Sequence, residues 1–300
     1  MIARLIGALA LLAAASAVAK DAPAYETRTN IIYGSYSGLA LLMDVKIPKK
    51  PNGRAILHIP GSGFQAPLGM EPWEIKNAEY HRPVEEQFLA RGFTVATINH
   101  RAAPRFSYPA PFEDAQRAAR FIRANAKNFR VSPDWLGVLG ASSGGHLALL
   151  LGTRGEGAEK PMAGAQSRKP QCVIAVMASS DLLPLGQEGM AVGMVTQFTG
   201  TVAPWPDEAP WAGYAERLAP YVEASPINHL DGPDRPAFLL VHGDADKLVP
   251  IDQSQRFVEK AKAAGIDVEF RKMPGVGHAF PAPHPDQAAQ WMADCAARRP

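Results

Sequence analysis

Between Thr27 and Ile47 apolar and polar residues alternate, with Gly34 and Gly38 between them, the pattern of an antiparallel strand pair. From Arg54 the pattern changes to short, mostly apolar runs: Arg54–Ile59, Phe93–Asn99, Trp135–Leu139, Cys172–Ala178, Ala237–Val241 and Asp267–Lys272. Such runs suit strands buried on both faces, as in a parallel sheet. Helical periodicity fills the gaps at Pro83–Arg91, Pro111–Lys127, Ser143–Leu151, Ile251–Ala264 and Asp286–Ala297. Gly92 and Gly265 follow two of these at the usual C-terminal stop position. The alternation predicts an α/β fold with a mostly parallel central sheet flanked by helices.

Residues 181–225 break the rhythm. They carry Pro184, Pro204, Pro206, Pro210 and Pro220 with Trp205 and Trp211, and contain no clear strand. This stretch is expected to be a cap-like insertion over the C-terminal edge of the sheet, where α/β proteins bind ligands. Trp205, Trp211, Met190 and Met194 are candidates to line an apolar ligand pocket; ordinary buried packing is the alternative.

The first 19 residues, MIARLIGALALLAAASAVA, have one early cation (Arg4), an apolar run and a small-residue end. That is the pattern of a secretory signal, cut after Ala17-Val18-Ala19 or after Ala15-Ser16-Ala17; an uncleaved anchor is the competing reading. The expectation is a signal peptide over 1–19 and one domain over 20–300, secreted or periplasmic, without stable membrane insertion once the signal is removed. The hydrophobic share of 47% and charged share of 20% over 300 residues fit a globular chain with a sizeable core. A formal charge of +2 with scattered Lys and Arg gives no electrostatic grip on nucleic acid. Two cysteines rule out a disulfide-stapled miniprotein and a four-cysteine zinc site. In an oxidising compartment Cys172 and Cys295 are free to pair; two separate buried thiols are the alternative.

The strongest chemical signal is Gly140-Ala141-Ser142-Ser143-Gly144, a G-x-S-x-G placed between an apolar run and a helix. A sharp strand-to-helix turn there lifts the hydroxyl of Ser142 above the sheet. A serine needs a base to take its proton and an acid to orient that base. After the run Ala237–Val241 come Asp244 and Asp246, and after Asp267–Lys272 comes His278 in a glycine-flanked loop. Asp246 is preferred over Asp244, because an Asp directly after a strand commonly binds backbone amides. His242 and His284 compete less well with His278, the first as a packed strand-end histidine and the second among prolines. Pro60-Gly61-Ser62-Gly63-Phe64 follows another strand and offers amides for an oxyanion hole, with Ser143 N–H joining them. The same loop fits G-x-G-x-x-A, but Pro67, Gly69 and Pro72 forbid the helix a dinucleotide site requires. No H-E-x-x-H or comparable spacing supports a metal hydrolase. Neither cofactor nor metal is expected.

These residues, together with Asn99-His100-Arg101, Tyr108-Pro109-Ala110, Asp114 and Ala224-Ser225-Pro226-Ile227, resemble the α/β-hydrolase superfamily. Within it the likeness is to the esterase/lipase branch of bacterial feruloyl/acetyl-xylan-esterase-like and hormone-sensitive-lipase-like enzymes, from about Arg54 to the C-terminus. The resemblance implies an α/β-hydrolase fold with Ser142 as nucleophile, Asp246 as acid and His278 as base. It further implies Ser62, Gly63 and Ser143 as amide donors, and Arg101 as structural. The chain departs from the family's His-Gly-Gly-Gly at Pro60-Gly61-Ser62-Gly63. The implied activity is hydrolysis of carboxylic esters, on small molecules or acetylated or feruloylated polysaccharide. A prolyl-oligopeptidase-like peptidase, a formamidase and a catalytically silent binding module on the same scaffold are the alternatives.

Overall fold

The computed structural model describes residues 24–66, 74–154, 169–209, 213–231, 235–279 and 284–299. The expected signal segment 1–19 lies outside the described residues, as do Pro67, Gly69, Pro72, Pro210, Trp211 and Phe280. The strands are β1 (Tyr25–Tyr36), β2 (Leu39–Pro48), β3 (Gly53–Ile59), β4 (Thr94–Ile98), β5 (Val131–Ala141), β6 (Cys172–Val176), β7 (Ala237–Gly243) and β8 (Val268–Met273). The helices are α1 (Arg82–Ala90), α2 (Ala110–Ala124), α3 (Ala126–Phe129), α4 (Ser143–Arg154), α5 (Leu182–Gln187), α6 (Val192–Thr199), α7 (Tyr214–Ala224), α8 (Asp252–Ala263) and α9 (Pro285–Arg298).

One sheet runs in the order β1-β2-β4-β3-β5-β6-β7-β8. β2 pairs antiparallel with both β1 and β4, and every pairing from β4 through β8 is parallel. Central strands are buried on both faces, which is why β4, β6 and β7 read as unbroken apolar runs. Alternate residues divide between two cores. Leu57, Ile59 and Val138 pack with α2, α4 and α8 on one face. Ile56, Ile174, Phe88 and Trp291 pack with α1 and α9 on the other. Cys172 of β6 and Cys295 of α9 lie in that second core and form a disulfide with their Cα atoms 6.3 Å apart. The bridge settles the alternatives left open for the two thiols.

Most differences from the sequence expectation sit at boundaries. Gly34 lies inside β1 at an irregularity in the ladder, and the turn falls at Ser37-Gly38. The Arg117 side chain lies over Gly34, where a Cβ would come within 2.4 Å of it. The expected helix Pro111–Lys127 breaks at Asn125, whose side-chain amide donates to Phe121 O (2.9 Å) and leaves α3 as a separate turn. Gly92 and Gly265 do terminate α1 and α8, with φ of +84° and +72° that a side chain would disfavour. The stretch 181–225 contains three helices, α5, α6 and α7, despite its prolines. They are held by packing: Leu182, Phe198 and Tyr221 are fully buried in the core that includes α4, and Gly186 lets the Tyr221 ring lie against its backbone.

Candidate active site

The C-terminal ends of β3, β5, β7 and β8 deliver four loops to one edge of the sheet, the location expected for the chemistry. Ser142 occupies the turn between β5 and α4 with φ +52°, a left-handed conformation unusual for a residue with a side chain. The glycines on either side make this turn possible. A Cβ on Gly140 would lie 2.2 Å from Gly144 O, and one on Gly144 would lie 2.0 Å from Ile59 O. Backbone bonds then hold the turn, from Ser142 N to Val176 O (2.8 Å) and from His146 N to Ser142 O (2.9 Å). The left-handed conformation of Ser142 is thus held by contacts on both sides.

His278 Nε2 lies 3.0 Å from Ser142 Oγ, and His278 Nδ1 lies 2.7 Å from Asp246 Oδ2. Asp246 is pinned in turn: its Oδ1 accepts from Leu248 N (3.0 Å) and Val249 N (2.9 Å). Burial alone would raise the Asp246 carboxyl, but hydrogen bonds from His242, His278 and the Val249 amide outweigh it and hold the group well below the usual carboxylate range. The ionised acid fixes the proton of His278 on Nδ1 and leaves Nε2 to accept from Ser142, an arrangement able to draw the proton off Oγ.

The rejected alternatives fall elsewhere. Asp244 Oδ1 accepts from Gly275 N (2.7 Å) and its Oδ2 faces Lys272 Nζ (3.1 Å), so it ties the β7 and β8 loops together. His242 is fully buried, with Nδ1 on Ser254 Oγ (2.7 Å) and Nε2 on Val249 O (2.8 Å). His242 Nε2 also stands 3.3 Å from Asp246 Oδ2, a supporting contact that the strand-end position alone did not signal. His284 precedes α9. Arg101 forks the fully buried Asp114 with contacts of 2.8–3.0 Å and lies over the Tyr36 ring, binding the loop after β4 to α2.

The oxyanion loop makes one contact that was not expected: Ser62 N–H donates to Ser143 Oγ (2.8 Å), and Ser62 is not among the residues lining the cleft. A hydroxyl on the residue after Ser142 supplies an acceptor that a smaller side chain would not. Gly63, at φ +64°, and Ser143 do line the cleft beside Ser142. Tyr80, which the sequence reading did not single out, hydrogen-bonds the carbonyl of Gly61 through its hydroxyl.

The cleft itself is small, about 20 Å³. Its walls include Leu185, Met194 and Val195 from the 181–225 helices and Leu248 from the loop after β7. Of the four residues expected to line it, Met194 does. Met190 and Trp205 point outward, 69% and 46% exposed, and Trp211 lies outside the described residues. Among the described residues no group of three or more His, Cys, Asp or Glu side chains is placed to hold a metal ion. None of their helices is long and apolar enough to cross a membrane.

The chain is 27% identical over 256 residues to the probable carboxylic ester hydrolase LipM of Mycobacterium tuberculosis, covering 84% of this chain and 56% of that protein. It is 27% identical over 271 residues to the esterase LipC of the same organism, covering 85% and 60%. The chain thus spans a little over half the length of these relatives. A shorter match, 27% identical over 107 residues, is to an acetylxylan esterase of Xylanibacter ruminicola, covering 36% and 20%. Among solved structures, a truncated carbohydrate esterase from gut microbiota superposes with a TM-score of 0.69 at 24% identity, covering 91% of this chain and 98% of that one. An acetyl ester-xyloside bifunctional hydrolase of Caldicellulosiruptor lactoaceticus gives 0.70 at 22% identity, covering 89% and 96%. Both likenesses establish the α/β-hydrolase fold. The BD-FAE family profile matches residues 43–261, from β2 through most of α8 and across the turn that carries Ser142, and the chain belongs to that family.

Proposed function

We propose that this protein is a secreted serine hydrolase of carboxylic esters with short acyl groups, acting through an acyl-enzyme on Ser142. The observation that carries the reading is the unbroken line from Ser142 Oγ to His278 (3.0 Å) to Asp246 (2.7 Å), set in a strained turn at the mouth of a cleft. His278 takes the Ser142 proton as Oγ attacks the ester carbonyl, then returns it to the departing alkoxide. Asp246 keeps the imidazole in the required tautomer and stabilises it once protonated. Gly63 and Ser143 amides receive the charge on the tetrahedral intermediate, aided by the N-terminus of α4. Water, activated by His278, then releases the acid.

The acyl preference follows from size. The cleft beside Ser142 is narrow, about 20 Å³, and walled by Leu185, Met194 and Val195, which favours a small acyl group. Acetate esters, acetylated polysaccharide among them, are the class this reading favours. Support comes from the acetylxylan esterase relative, from the signal-like residues 1–19, and from a disulfide, which persists in oxidising compartments.

The test is hydrolysis of p-nitrophenyl acetate, butyrate and octanoate, and of acetylated xylan, by the wild type and Ser142→Ala. The expected result is turnover that falls steeply from acetate to octanoate and is lost in the variant. Turnover unaffected by Ser142→Ala would overturn the nucleophile, and a preference for octanoate would overturn the acyl class.

A further inference from the structure

The Gly63 amide proposed to stabilise the oxyanion sits on a glycine-rich loop. The far end of that loop is anchored by Ala103 N donating to Phe64 O (2.8 Å) and by the buried Phe64 ring stacked on Phe198, so its fixity depends on what holds the Gly61–Ser62 end. Pro60 to Phe64 contains two glycines, and Gly63 adopts positive φ. Gly61 cannot carry a side chain, because a Cβ there would lie 2.5 Å from Ala141 O. Ser62 gives no anchor of its own, its hydroxyl being buried without a hydrogen-bond partner. Glycine-rich backbone of this kind is conformationally permissive, whereas an oxyanion hole works only if its donors are fixed before charge develops.

Two hydroxyls from separate elements meet one peptide group of this loop. The Gly61–Ser62 peptide presents its carbonyl to the Tyr80 hydroxyl and its N–H to Ser143 Oγ, the latter at 2.8 Å. Carbonyl and N–H point in opposite directions across a trans peptide, so the plane is gripped from both ends. Tyr80 belongs to the short turn before α1, and its ring packs on His81 at 3.9 Å between centroids. Ser143 is the first residue of α4 and directly follows the proposed nucleophile. Burial raises the Tyr80 hydroxyl to about 12, so it remains a donor at any working pH.

We propose that Tyr80 and Ser143 are positioning residues for the oxyanion loop, clamping the Gly61–Ser62 peptide so that the next amide, Gly63, is presented to the carbonyl attacked by Ser142. The proposal rests on the esterase reading for its kinetic consequence but not for the clamp itself. Removing an oxyanion donor outright costs about 10²–10³ in kcat; loosening one costs less.

Tyr80→Phe, Ser143→Ala and the double variant are to be compared with wild type in two measurements. With p-nitrophenyl acetate, each single variant is expected to lose about tenfold in kcat with KM within about twofold, because the effect is confined to the transition state. The double variant is expected to lose about thirtyfold rather than a hundredfold, because both changes act on the same peptide. By NMR hydrogen exchange, the Ser62 amide is expected to be protected in the wild type and to exchange at least about tenfold faster in Ser143→Ala, with smaller acceleration in Tyr80→Phe. Unchanged kcat in Tyr80→Phe, fully multiplicative losses, or a Ser62 amide no better protected in wild type than in Ser143→Ala would each overturn the clamp. A wild type without ester turnover would count against the esterase reading, and the exchange data would still decide the clamp.

Discussion

Two buried carboxylates in this protein each hold a histidine, and only one of the pairs is placed to do chemistry. Asp246 meets His278 Nδ1 at 2.7 Å, and Glu85 meets His58 Nδ1 at 2.8 Å. Burial would raise both acids, and both are instead lowered. For Glu85 the contacts of His58 and then Lys46 outweigh burial and bring it to about 2. The surroundings differ. Glu85 also accepts from Thr97 Oγ1 (2.6 Å) and from Lys46, so a single carboxylate on α1 ties down β2, β3 and β4. The His58 side chain is only 2% exposed and its ring meets that of His81 edge-on. His278 is 13% exposed and turns its second nitrogen to a serine in a strained turn. An imidazole–carboxylate pair is thus a general fastening; a serine held at its second nitrogen beside an open cleft is what the proposed proton relay adds to it.

Substitutions at the two acids sharpen that contrast most. Asp246→Asn is expected to lower kcat on p-nitrophenyl acetate about 10³–10⁴-fold, through the wrong imidazole tautomer. Glu85→Gln is expected to leave kcat per folded molecule within about threefold while costing about 3 kcal/mol of stability in urea unfolding, the penalty of breaking a buried pair. Equal kinetic damage at both sites would erase the distinction.

Acid titration probes the same pairs. The folded Glu85 carboxyl lies at about 2 against an ordinary 4.5, so its stabilisation is complete above about 4.5 and is lost as pH falls toward 2. The lowered Asp246 acts in the same direction. The wild-type Tm should therefore fall on acidification through that window, and the Glu85→Gln variant should show a flatter slope there. An unchanged slope would remove Glu85 from the account.

Smaller effects are expected from the face shared by α1 and α9 and from the cleft wall. Replacing Cys172 and Cys295 together by Ala opens a loop spanning 123 residues, with an expected loss of about 2–4 kcal/mol and little change in kcat. Met194→Ala removes a side chain that lines the cleft and crowds Gly63, where a Cβ would lie 2.6 Å from its sulfur. The butyrate-to-acetate ratio of kcat/KM should rise about tenfold, in line with roughly 1–3 kcal/mol per methylene accommodated. A ratio that does not move would place the acyl group elsewhere.

How much of this was legible depends on what each feature rests on. The parallel strands could be read because burial on both faces leaves unbroken apolar runs such as Cys172–Val176. The turn at Ser142 could be read because its tolerances are steric: backbone oxygens 2.0–2.2 Å from any added Cβ admit only glycine at 140 and 144. The helices between 182 and 224 could not, since Pro184, Gly186 and Pro220 contradict local helix propensity and packing around Phe198 and Tyr221 overrides it. The contacts of the Ser143 and Tyr80 hydroxyls left no trace either, because both reach a peptide distant in the chain.

The sequence by itself thus determined the α/β order of elements, the serine turn and the candidates from which an acid and a base had to come. Burial periodicity and steric exclusion are local properties that a chain displays in its residue types. Tertiary structure alone decided that Cys172 meets Cys295, that the Ser62 amide is engaged by Ser143 and that the cleft beside Ser142 is narrow, and it put Asp246, already favoured by its place in the loop, against His278. Each of these is a distance between groups brought together from separate elements, and such distances are set by how the layers pack.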